Sequence, residues 1–316
     1  MSDPNTLEAT GIGAFTVSNI AHEQISQHLK IPKGYYDRAR MEQPDLYVRT
    51  VNTWIESADS PRTLRTLDNT ARAILSDRFR PLDDYPLLRA VLPTLSKMNG
   101  TVLSANISDE KMYLKIVFAE LEARIPNPQF PDDRVQFGLC IHNSEVGRGR
   151  LAIDGFMNRL VCKNGMRLDS VLSKYHVGRS KIDLSDAVDL WSDGTKEQSD
   201  KAFWMQVEDT IRGAMTMDKV NEYVEAMGVS TGRMMDKPQE TVKLLCDNFN
   251  LSGDQHDGIM KHLIAGGDLS QWGLINAVTR TAEDQDSYDI ASELEKLGGD
   301  LVTANKSTLA RLLIAA

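Results

Sequence analysis

Cysteine is scarce in this chain: Cys140, Cys162 and Cys246 are the three in 316 residues. So few, and an odd number, exclude a disulfide framework and fit a reducing compartment. Long apolar runs are absent too. No stretch reaches the eighteen or so residues that a membrane-spanning helix needs, so no membrane partner is expected. The opening "MSDPNTLEATGIGAF" lacks the basic segment followed by an apolar one that marks a secretory leader. A cytoplasmic protein is the expectation. Internal repeats and low-complexity linkers are also missing.

Several chemical signatures are lacking. There is no paired C-x-x-C, no H-E-x-x-H, no H-x-E with P-C-x-x-C, no G-x-x-x-x-G-K-[ST], no complete G-x-G-x-x-G and no G-x-S-x-G. No cofactor is called for. Cys140 and His142 lie two apart on an expected strand and so share a face, and Cys162 is placed opposite them across a hairpin. A closed zinc site needs a fourth ligand and a catalytic one an open position and a base, so a structural role is preferred. Ser144 and Ser170 have no nucleophile context. Asp83 and Asp84 in "RPLDDYPLL" read as helix capping. An enzyme is not indicated.

What the chain does have is 41% hydrophobic residues, enough for a substantial core, and a net charge of -9 that is unevenly spread. Residues 148–182 carry eight Lys/Arg against two Asp/Glu, whereas residues 183–316 carry twelve against twenty-four. The spacing of Ile20, Ile25, Leu29 and Ile31, then Leu46, Val48, Val51, Trp54 and Ile55, predicts a helical N-terminal module over 1–60. Short alternating runs ("RTLRTLD", "TARAILSD", "TVLSANIS", "KMYLKIVFAE", "RVQFGLCIHNS") predict an antiparallel sheet core over 61–182, with one helix inserted at "YPLLRAVLPTLSKM". Apolar stripes return after it, giving an acidic helical region over 183–316 with Ser199, Asp218 and Ser270 as N-caps. The class is α+β, with a largely antiparallel central sheet.

The basic stretch "IHNSEVGRGRLAIDGFMNRLVCKNGM" reads as strand, Gly/Arg loop, strand and Asn-Gly turn. That layout brings Arg148, Arg150, Arg159, Lys163 and Arg167 together, with Lys174 and Arg179 beyond them and Arg78 and Arg80 on an earlier strand. Arginine pairs bidentately with phosphate, and backbone N–H groups beside Gly147, Gly149 and Gly165 add anion contacts. Tyr35, Tyr36, Phe79, Tyr85, Tyr113, Phe156 and Tyr175 are candidates for stacking on bases. The alternative is that the cations form a solvated hairpin or are neutralised by the acidic helices.

The segments "SDRFRPLDD", "HNSEVG" and "RLVCKNGM" resemble the phage and plasmid family catalogued as domain of unknown function 932, over about residues 20–180. The resemblance implies a mobile-element origin and a cytoplasmic setting, and transfers no catalytic residue. A more distant architectural likeness is to the single-strand annealing proteins of phages, the Redβ-like group among them. The expected function is sequence-tolerant binding of single-stranded DNA in phage or plasmid DNA metabolism, with strand annealing and a homo-oligomer in view. The alternative is a counter-defence or regulatory module that engages a protein partner through its acidic helices.

Overall fold

The computed structural model describes residues 1–58, 60–162, 164–174, 193–214 and 216–304. It opens on a hairpin where only helix is expected: β1 (Thr6–Ala9) and β2 (Gly13–Val17) pair antiparallel. The turn between them passes through Gly11 at φ 77°, a left-handed conformation that a Cβ would strain. Three helices follow, α1 (Asn19–His28), α2 (Lys33–Glu42) and α3 (Pro44–Glu56). Ser18 caps α1, its Oγ accepting the Ala21 N–H at 3.1 Å. Ala21, Ile25 and Leu29 meet Tyr36, Tyr47 and Val51 in a small core. The expected stripe on α3 is shifted, since Leu46, Trp54 and Ile55 stay exposed while Tyr47 and Val51 are buried.

Inside that core His22 Nδ1 lies 2.9 Å from the Tyr36 hydroxyl, which lies 2.6 Å from that of Tyr47. Burial, helped by Arg40 and Lys33, pushes the His22 pKa down to about 4. The folded state therefore excludes a proton that the unfolded chain binds below about pH 6.5. The His22 contribution is intact above that pH and drains away as the pH falls towards 4, by at most about 3 kcal/mol. Thermal melts from pH 7.5 to 4 should show this loss, and His22→Phe should flatten the profile.

β3 (Arg62–Leu67) and β4 (Thr70–Ser76) form the next hairpin. Its turn is made by Asp68 and Asn69, both at positive φ (46° and 60°), as the favoured two-residue turn requires. β4 also pairs parallel with β2, giving a four-stranded mixed sheet in the order β1-β2-β4-β3. The strands therefore fall in two sheets rather than one, and the first joins sequence from both sides of residue 60. α4 (Asp84–Lys97) links the two sheets. Asp83 occupies its cap position without making a cap hydrogen bond and instead accepts from Arg65 at 2.6 Å. The first-turn N–H of Asp84 donates to Glu145 Oε1 at 3.0 Å. Capping by the Asp pair is thus corrected: the acceptor comes from Glu145, because the loop after the seventh strand packs against this helix end.

The second sheet is antiparallel in chain order: β5 (Gly100–Ile107), β6 (Met112–Arg124), β7 (Arg134–Asn143), β8 (Leu151–Arg159) and β9 (Gly165–Lys174). Strand alternation gives it two unlike faces. Leu114, Ile116, Phe137, Leu139, Ile141, Ile153 and Leu168 point into the main core. The remaining helices are α5 (Asp193–Ala214), α6 (Met217–Thr231), α7 (Pro238–Phe249), α8 (Gly253–Gly266), α9 (Gln271–Glu283) and α10 (Tyr288–Thr303). Ser270 caps α9 as expected, but Thr216 rather than Asp218 caps α6, and Ser199 lies inside α5. The chain is α+β, and none of its described helices is long and apolar enough to cross a membrane.

Candidate functional site

The other face of the second sheet is where the sequence breaks its own pattern. Tyr113 and Lys115 on β6, Cys140 and His142 on β7, Asp154 on β8 and Arg167 on β9 all lie on it, and α10 crosses over them. Buried charged groups survive only when paired and hydrogen-bonded, and Lys115, Asp154 and Arg167 each have a partner. Arg167 donates through Nε to Asp154 at 3.0 Å, through Nη2 to the same carboxylate and to His142 Nε2 (2.7 Å), and through Nη1 to Ser292 Oγ at 2.7 Å. Ser170 donates to the other Asp154 oxygen at 2.6 Å. Lys115 Nζ reaches Glu295 Oε1 at 2.6 Å and lies 4.6 Å from the Tyr288 ring centre. The Tyr113 hydroxyl donates to Asp289 at 2.8 Å.

Protonation states follow from these contacts. Burial alone would raise the Asp154 carboxyl, but His142, Arg167 and Ser170 outweigh it and hold it well below the usual carboxylate range. Burial lowers the His142 pKa against the pull of Asp154. His142 Nε2 stands between the Arg167 guanidinium (2.7 Å) and the Asp154 carboxylate (3.1 Å), and that one nitrogen accepts from the first or donates to the second according to the tautomer. Burial likewise pushes the Cys140 thiol up to about 12, which leaves it an inert thiol rather than a nucleophile.

The layer opens at one end into a cleft of about 730 Å³. Lys111, Arg148 and Arg150 line it, as do Phe249, Ile290 and Leu297 and the carboxylates Asp254, Glu293 and Asp300. The Gly/Arg loop is held in place by Gly147 at φ 75°, by Val146 buried against Ile20, Ala73 and Leu75, and by Ser144, whose Oγ accepts the Arg148 N–H at 2.9 Å. Arg148 forks onto Glu23 and approaches Glu110 at 3.7 Å. Arg150 donates to Ser170 Oγ at 3.1 Å. Lys111 lies 3.9 Å from Asp289. The volume is of the size that holds a small ligand or one unit of a polymer.

The predicted cations therefore scatter. Arg148, Arg150 and Arg167 share the cleft, but Arg167 spends its donors inside the protein. Arg159 sits at the far end of β8, forked onto buried Asp133 at 2.6 and 2.7 Å beside the Trp272 ring. The expected convergence is corrected for Arg159, because β8 is too long to bring its two ends together, and both Arg159 and Arg167 neutralise buried carboxylates. Arg80 pairs with Asp200 of α5 and faces the Phe203 ring. Arg78 and Lys174 are exposed. Lys163, Arg179 and Tyr175 lie outside the described residues.

Two further expectations change. Cys140 pairs with Asp154 across β7 and β8, whereas Cys162 follows Arg159, whose partner Val135 is five residues along β7. That is roughly 16 Å of strand, so Cys162 does not face Cys140 and His142. Gly165 does not use positive φ. Asn164 is buried, donating to Thr279 Oγ1 at 2.6 Å, and Gly165 leaves room for Phe156, which a Cβ would meet at 2.7 Å. Of the proposed stacking residues Tyr36, Tyr113 and Phe156 are buried, and Phe79 packs on the small cluster around Val146. Tyr35 and Tyr85 are exposed. Sequence reasoning missed Lys111, Phe249 and the α10 groups Asp289, Ser292 and Glu295, because only the tertiary fold brings them to the polar layer and its cleft. Compared with family models, curated proteins and solved structures, the chain matches none.

Proposed function

We propose that the protein binds single-stranded nucleic acid and that the cleft beside the polar layer receives the strand. The observation that carries this reading is that Lys111, Arg148 and Arg150 line the same cleft as Phe249, which is 42% exposed. Cations track phosphates and an exposed ring stacks on a base, a pairing that is indifferent to sequence. An incoming phosphate exchanges with Glu23 and Glu110 on Arg148, half-exposed pairs worth about 0–1 kcal/mol each. The reaction class is binding, with annealing of complementary strands as the activity to assay next.

With three phosphate contacts the logarithm of the affinity should fall by about 2 for each tenfold rise in salt, roughly a 15- to 20-fold loss between 50 and 200 mM. Fluorescence anisotropy of a labelled oligonucleotide measures this. Lys111→Ala, Arg148→Ala and Arg150→Ala combined should abolish the salt-dependent term, and Phe249→Ala should weaken binding without changing the slope. Absence of binding at low salt sinks the reading and directs the search to protein partners of the acidic helices.

A further inference from the structure

A second pocket, of about 460 Å³, lies on the same face of the five-stranded sheet, around Lys115 and Glu295. Strand alternation brings Gln136 and Asn158 to it, opposite one another across β7 and β8. Asn158 is only 9% exposed, and its side-chain amide has no hydrogen-bond partner among the described residues. A nearly buried amide left without a protein partner calls for an explanation. Gln136 turns its own Nε2 toward Glu122 at 3.4 Å, which leaves its carbonyl oxygen to accept. Leu103, Leu160 and Phe156 line the same pocket. Apolar surface with a few placed polar groups is the make-up of a small-molecule site, and the volume is in the range of one.

The charges decide the class of ligand. Lys115 is held by Glu295, and its ammonium would repel a second cation entering the pocket. An anion would meet Glu295 and the carboxylate of Glu283, which makes no ion pair among the described residues. Nor do the described residues include a cluster of three or more side chains fit to hold a metal ion. That leaves an uncharged molecule with apolar faces and a donor beside an acceptor on one edge. We infer that the pocket binds a nucleobase, free or as its nucleoside, with Asn158 reading the edge. A carboxamide meets adenine on two atoms, accepting from the amino group and donating to the ring nitrogen beside it, while apolar side chains cover the ring. The inference is independent of the strand-binding reading, because this pocket shares no lining residue with the cleft.

Isothermal titration calorimetry with adenosine, in the absence of DNA, should give one site per chain. Asn158→Leu should weaken it by about tenfold or more, the loss of a hydrogen-bonded pair. Leu103→Trp, at an exposed position, should block the pocket and leave the circular dichroism spectrum unchanged. The combined Lys111→Ala, Arg148→Ala and Arg150→Ala variant should bind adenosine as the wild type does, so this result and the oligonucleotide result can fail separately. Neither inorganic phosphate nor putrescine should displace the nucleoside. No binding of adenosine at about 1 mM, the weak end of specific affinity, overturns the proposal. So does binding that a folded Asn158→Leu or Leu103→Trp variant leaves intact, that the cleft variant removes, or that either ion displaces.

Discussion

Asp154→Ala should destabilise the protein by about 3–5 kcal/mol, because it leaves the Arg167 guanidinium buried without its counter-charge. Asp154 is fully buried, and its two oxygens serve Arg167 and Ser170 with His142 alongside. The loss is larger than that of one hydrogen bond, since a charge taken out of water and then abandoned retains its whole desolvation cost. Urea unfolding of the variant beside Asp154→Leu with Arg167→Met separates the two contributions. The double variant removes both charges and should recover much of the loss. If the single variant unfolds at the wild-type urea concentration, the polar layer is not the stabilising unit described above.

Gly299→Ala should cost about 3 kcal/mol or more, against the usual direction for a glycine within a helix. A Cβ there would sit 1.7 Å from the Arg167 carbonyl oxygen and 3.3 Å from Leu168 Cα, both backbone atoms that cannot swing aside. α10 would have to lift off β9, taking Ser292 and Glu295 from Arg167 and Lys115. Gly213 in α5 is the control, because a Cβ there meets nothing within 4 Å. Gly213→Ala should therefore gain about 0.5–1 kcal/mol from reduced backbone freedom in the unfolded chain. Thermal or urea denaturation of the pair should give opposite signs, and a stabilised Gly299→Ala would refute the close approach.

The fold was readable where one face of an element is apolar. The runs at β3 to β7 alternate cleanly, and each is a strand within a few residues of its expected limits. The β1–β2 hairpin was harder, since a four-residue strand with Leu7 and a five-residue one with Phe15 and Val17 carry too few apolar positions to stand out from loop. The Asp68-Asn69 turn was legible in principle but overshadowed by Asn164-Gly165, the stronger dipeptide signal, which the fold uses for packing. At the site, charge density in sequence misled. A guanidinium looks the same on paper whether it faces solvent or a buried carboxylate, and Asp133 and Asp154, the partners that decide the matter, lie in other strands or at other ends of the hairpin. Lys115 and Glu295 are separated by 180 residues, and no local pattern links them.

That separation has a consequence for synthesis. A ribosome releases β6 long before α10, so Lys115 and Arg167 wait in the nascent chain for Glu295 and Ser292 while the apolar face of the same sheet is already able to collapse onto α4. Until α10 arrives, water must solvate the unfinished face, and a half-made chain has an open, charged side that resists association with its neighbours. The layer of paired charges should thus serve as a solubilising surface during translation and become interior only when the last described helix docks.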